Sequence, residues 1–151
     1  MREIDVTDEA LIHADPGAVF KAIIDLMAGD GSWWHPHLLV SPLGAPKPGQ
    51  VGGLAEIRVP GRARFTARVE EVVAPAQLRV AYVSGTFRGT GRWSFDPEAA
   101  GTRIRFRWQV VPQHWWMRGL VAPLVQRNHS RVMHIGFKLL DAHLRAAASA
   151  H

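Results

Sequence analysis

The chain has 151 residues, nearly half of them apolar, enough for one domain whose folding hides about two-thirds of its unfolded surface. Cysteine is absent, which excludes disulfides, thiolate metal sites and a cysteine nucleophile. The net charge of +5 rests on arginine, 15 of the 18 basic residues; it favours anionic partners only where those arginines gather, and an arginine- and alanine-rich composition also suits a GC-rich bacterial gene.

No apolar run reaches the roughly 18 residues of a membrane-spanning helix. The opening Met1-Arg2-Glu3-Ile4-Asp5 is polar and acidic where a secretory leader is basic and then apolar. The expectation is a cytoplasmic protein forming a single domain over residues 1–151.

Residues 3–13 read as a strand. Ala14-Asp15-Pro16-Gly17 then signals a helix start, with Asp15 as N-cap and Pro16 at the first helical position. Val19, Phe20, Ile23, Ile24 and Met27 recur at helical spacing, so this helix runs from Pro16 to about Met27 and stops at Gly29-Asp30-Gly31. Ser32 is positioned to cap a short second helix carrying Trp33-Trp34-His35, which Pro36 ends or redirects.

From Leu38 to Pro112 the period becomes two, and turn signals at residues 44–53, 60–61, 74–76, 84–85 and 96–101 leave room for six strands. Arg103-Ile104-Arg105-Phe106-Arg107-Trp108-Gln109-Val110 alternates between a basic face and an apolar one. In its neighbour Phe87, Trp93 and Phe95 share the apolar parity with Gly89 and Gly91, while Arg88 and Arg92 take the other. From about Leu120 to Ala147, Val121, Val125, Val132, Gly136, Leu139 and Leu140 fall on one side of a helix. Pro123 either starts that helix or kinks it.

Several motifs stand in a fixed order: Trp33, Trp34 and Pro36 after the first helix; the loop Pro48-Gly49-Gln50-Val51-Gly52-Gly53; the hairpin Gly85-Thr86-Phe87-Arg88-Gly89-Thr90-Gly91-Arg92-Trp93; Gly101-Thr102-Arg103; and Asn128-His129 with Val132-Met133 and Gly136. Together they resemble the polyketide cyclase/dehydrase and lipid-transport family of the START-like (SRPBCC) superfamily. The resemblance implies an α+β helix-grip fold: a curved seven-stranded antiparallel sheet around a long C-terminal helix, with two short helices between strands 1 and 2. It also implies a cavity for an apolar ligand, with Trp33, Trp34 and the glycine-rich loop at its mouth. The superfamily holds carriers and enzymes alike, so the fold does not choose between them.

Polar residues on the apolar face of the last helix are the most informative. With Val125 as reference at 100° per residue, His129 lies about 40° away, Asn128 about 60° to the other side, and His143 nearly coincides. A buried imidazole left unpaired costs about 1–3 kcal/mol, so these side chains either bond the sheet, one another and water, or orient a ligand. Imidazole titrates near neutrality, which makes His129 the candidate acid or base.

The expected ligand lining is Trp33, Trp34, Tyr82, Trp93, Trp108, Asn128, His129 and Met133, although large aromatics at inward positions are also ordinary core. Gly89 and Gly91 at inward positions leave room for a ligand or allow close backbone approach.

His35 and His37 could join His114 or His129 around zinc, but no carboxylate stands at ligand spacing, and no metal or other cofactor is implied. The sheet arginines point away from the aromatics, which argues against nucleic acid and leaves contact with an anionic membrane or acidic partner open. Paired carboxylates for acid–base work are hard to find inside, since Asp25, Asp30, Glu56, Glu70, Glu71, Asp96 and Glu98 fall at helix edges, turns or uncertain strand parity, so chemistry would rest on histidine, tyrosine and water. Trp115-Trp116 fits a cavity mouth or a homodimer contact.

Three functions follow, led by binding of a lipid, polyketide or isoprenoid-like molecule between sheet and helix. The second is a cyclase or dehydratase using His129, and the third an interaction module on the basic sheet face.

Overall fold

Residues 4–149 are described in the computed structural model. Strand β1 (Ile4–Ile12) opens the chain; the expected start at Glu3 lies outside the described residues. Asp15 then caps α1 (Pro16–Met27), its Oδ2 accepting from the Ala18 N–H at 3.2 Å. Beyond Ala28, Gly29 takes a φ of +96° and turns the chain out of the helix.

The second helical segment is a single 3-10 turn, Ser32–Trp34, and Gly31 instead of Ser32 occupies its cap position with no side-chain bond. Packing replaces capping here. Gly31 lies so tightly on α1 that a Cβ would fall 2.2 Å from Leu26 Cδ1, and Trp34 is buried.

Strands β2 (Leu39–Leu43), β3 (Leu54–Val59), β4 (Ala63–Val73), β5 (Gln77–Gly85), β6 (Phe87–Glu98) and β7 (Gly101–Pro112) follow. They form one antiparallel sheet with β1 in the order β1-β7-β6-β5-β4-β3-β2. Pro42, which lacks the N–H of a ladder donor, sits on the edge strand β2. Register shifts at Thr66/Ala67 and Val69/Glu71 interrupt the β4–β5 pairing, and such irregularities bend a sheet.

The alternation of β7 sorts its faces. Ile104, Phe106, Trp108 and Val110 are buried, while Arg103 pairs with Glu98 at 3.0 Å, Arg107 with Asp5 at 2.8 Å, and Arg105 with Glu9 and Asp96. The wet face is therefore charge-paired along β7, while Arg79, Arg88 and Arg92 on β5 and β6 stand outside those pairs.

Helix α2 (Ala122–Ser149) closes the chain and is about 42 Å long at 1.5 Å per residue. Pro123 stands in its first turn and starts it. Met133, Gly136, Phe137 and Leu140 are buried, whereas Val125 and Val132 are only half-buried. The second half of the helix packs down and the first half stands off the sheet. This is the helix-grip arrangement. No helix among the described residues is long and apolar enough to cross a membrane.

Candidate functional site

Where α2 stands off, a cavity of about 280 Å³ remains, near the lower end of the roughly 300–1,000 Å³ common for small-molecule sites. The sheet supplies its floor, including Phe65, Tyr82, Phe87, Phe106 and Trp108; α2 supplies Val125, Asn128, His129, Val132 and Met133. Trp34 forms part of the wall, its indole N–H donating to the Val132 carbonyl at 3.2 Å. Of the lining residues, Gly61, Arg62, Trp116 and Leu124 are exposed, which places the mouth between the β3–β4 hairpin and the start of α2.

The floor is a packed aromatic surface. Trp93 stacks on Phe106 at 4.3 Å between centroids, Phe87 meets Trp108 edge-on at 4.7 Å, and Phe65 meets Tyr82 at 5.1 Å. Such arrangements fix ring positions better than aliphatic packing does. Burial pushes the Tyr82 phenol up, the Trp108 indole opposing this in part, so the hydroxyl stays a neutral donor.

Gly91 has its own task. A Cβ there would fall 2.4 Å from the Tyr82 hydroxyl and 2.9 Å from Phe106 Cζ, so the space it vacates is taken by the floor itself. Gly89, at φ +145°, admits the neighbouring strand, since a Cβ would meet the Gln109 carbonyl oxygen at 2.0 Å. Close approach is the role of both, and neither opens room for a ligand.

His129 lies face to face on Trp108, with centroids 3.8 Å apart and planes 5° from parallel. Burial pushes its imidazole down to about 3, so the ring is neutral at physiological pH. Its Nε2 has no hydrogen-bond partner, and neither does Oδ2 of Asp8, a buried carboxylate on β1. These two atoms face each other at 3.7 Å. On the far side of the carboxylate, Oδ1 lies 3.4 Å from Nε2 of His134, an exposed residue.

Seven of the eight expected lining residues, Trp34, Tyr82, Trp93, Trp108, Asn128, His129 and Met133, surround the cavity. Trp33 does not; it stacks on Trp34 at 5.4 Å and on the exposed His143 at 6.3 Å. His35 and His37 are exposed, and His114 lies against Trp116. Among the described residues no three histidines or carboxylates converge as a metal site.

Asp8 is a buried carboxylate that the sequence reading did not single out. Its signal was available in β1, where Ile4, Val6, Asp8, Ala10 and Ile12 share one parity. Arg62 at the mouth was also missed, because hairpin tips carry no period.

Known structures share the fold. A protein of Thermus thermophilus superposes with a TM-score of 0.78 at 21% identity, covering 95% of this chain and 99% of that one. A START superfamily protein of Mycobacterium smegmatis gives 0.72 at 16%, covering 96% and 98%. The Zhui aromatase/cyclase of Streptomyces sp. R1128 gives 0.73 at 15%, covering 97% and 98%. Among curated proteins none matches the chain by sequence. Residues 3–144 do match the polyketide cyclase / dehydrase and lipid transport family, and the chain belongs to that family.

Proposed function

We propose that the chain acts as one START-like ligand-binding domain in the cytoplasm, holding a compact apolar molecule, ring-containing and lipid-, polyketide- or isoprenoid-like, between sheet and helix. The observation that carries this reading is the apolar cavity under the first half of α2, lined by few polar side chains beyond Tyr82, Asn128 and His129. Apolar walls supply affinity there, and a few convergent polar groups supply orientation. The size of the cavity favours a fused-ring ligand over an extended acyl chain, which would have to project through the mouth.

Native mass spectrometry of gently purified protein tests the reading directly. The expected result is a co-purifying small molecule whose retention falls at least tenfold in His129→Ala. Retention of the same molecule by a variant with a blocked cavity, such as Val125→Trp, would sink it.

A second reading is supported by the His129–Asp8 pair. Nε2 of His129 stands 3.7 Å from the Asp8 carboxylate, and a substrate that drew the two into a hydrogen bond would raise the imidazole from its buried value of about 3 towards the range that general acid–base catalysis uses. In a cyclase or dehydratase, the cavity would align a flexible substrate and His129 would move its proton. Turnover that is lost in His129→Gln while ligand retention survives separates this reading from simple binding.

A further inference from the structure

We infer that the rim of the cavity docks on an anionic lipid surface, with the mouth facing the bilayer. Four large apolar side chains stand in solvent within ten residues: Trp115 at 82% exposure, Trp116 at 54%, Leu120 at 100% and Leu124 at 62%. They occupy two single 3-10 turns, Trp115–Met117 and Gly119–Val121, and the first turn of α2. Leaving them in water forgoes the free energy that burial of each side chain would release. Trp116 and Leu124 also line the cavity, so patch and mouth are continuous.

The charge around the patch has one sign. No aspartate or glutamate occurs from Ala99 to Leu140. On α2, Arg131 lies about 20° from Leu124 and Arg127 about 60° from it at 100° per residue, so both arginines rise directly above the patch. Arg127, Arg131 and Arg62 are exposed and take part in none of the ion pairs among the described residues. On the sheet face Arg103, Arg105 and Arg107 are held by Glu98, Glu9, Asp96 and Asp5; Arg88 and Arg92 there are exposed and outside those pairs, but none of the exposed large apolar side chains lies on β5, β6 or β7 beside them.

Exposed indoles and leucines beneath unpaired arginines match the order of a membrane surface, acyl boundary first and anionic headgroups above it. A second copy of the chain fits less well. A twofold contact would set the same arginines against each other with no carboxylate between them. The docking does not depend on the identity of any cavity ligand.

Co-sedimentation with vesicles of equal parts phosphatidylcholine and phosphatidylglycerol tests the inference, with pure phosphatidylcholine as the comparison. The expected result is binding to the anionic vesicles that weakens with salt. Trp115→Ser/Leu120→Ser should weaken it at least tenfold. Arg127→Glu/Arg131→Glu should do the same, because each cation near such a surface contributes about 1 kcal/mol, roughly a fivefold change.

None of these four residues lines the cavity, so uptake of anilinonaphthalene sulfonate should persist in both variants and shows that they are folded. Three results would overturn the inference: no binding to anionic vesicles at low salt, binding that both variants retain, or light scattering that shows a dimer dissociated by the Trp115/Leu120 variant. Loss of the fluorescent probe in the wild type would instead count against the cavity reading and leave the docking result standing.

Discussion

Asp8 Oδ2 and His129 Nε2 each lie buried without a hydrogen-bond partner, and an orphaned buried polar group costs about 1–3 kcal/mol. At 3.7 Å a small rotation joins them, so each is the other's natural partner. Removing either takes that partner away, leaving Asp8 only His134 Nε2, 3.4 Å from its Oδ1. A double-mutant cycle on Asp8→Val and His129→Phe should show the pair costing less than the sum of the singles, by about 1 kcal/mol or more; additive losses in chemical denaturation would show the two residues to be independent. The pH dependence has a definite sign. Burial holds the folded-state value near 3, below the roughly 6.5 of a free imidazole. The unfolded chain takes up the proton first, so this contribution is present above about pH 6.5 and is lost as pH falls towards 3. His129→Phe should reduce the slope of stability against pH in that window by up to about 1.4 kcal/mol per unit, measurable as melting temperature between pH 7 and pH 4.

At the scale of the element, Gly136 shows how packing overrides propensity. An added Cβ there would lie 2.1 Å from Trp34 Cε2, and the indole is tied by its hydrogen bond to Val132. Helix propensity alone favours alanine over glycine by about 1 kcal/mol. Forcing the indole aside costs about 1–3 kcal/mol in a packed interior, so Gly136→Ala should lower the melting temperature and loosen the Trp34 wall; a higher melting temperature would show that the contact yields.

Elements of this kind were legible where their signals are local. The span of α1, the strand alternation in β6 and β7, and the long final helix follow from capping residues and from periods of 3.6 and 2. His129 was legible as a polar residue on an apolar helix face. What could not be read depends on neighbours distant in the chain, as in the partnership of Asp8 with a residue 121 positions later and Trp33 turned onto His143, or on side-chain direction, as in Gly91 filled by Tyr82 of the preceding strand.

For the whole molecule, the arrangement separates stabilising from unsatisfied features. Charge pairs line β7 on the outer sheet face; exposed pairs of this kind contribute about 0–1 kcal/mol each, so their effect is to neutralise that strand more than to hold the fold. The interior keeps the opposite feature, an apolar void of about 280 Å³. Residual cavity volume in a protein core costs roughly 24 cal/mol per Å³, which puts an empty chamber at several kcal/mol even after part of it is discounted for access to solvent. Anything that fills the chamber should recover part of that. A bound ligand does so by mass action, raising the melting temperature with its concentration. A larger side chain does so permanently: Val125→Phe, placed on α2 where the lining is half-buried, should raise the melting temperature by a few degrees, since about 1 kcal/mol shifts a domain of this size by roughly 2–4 °C or slightly more. It should also abolish uptake of anilinonaphthalene sulfonate. Stability gained together with binding lost is the signature of a void maintained for an occupant. If the variant melts lower and still takes up the probe, the void is elsewhere or filled already, and the binding function assigned to it fails.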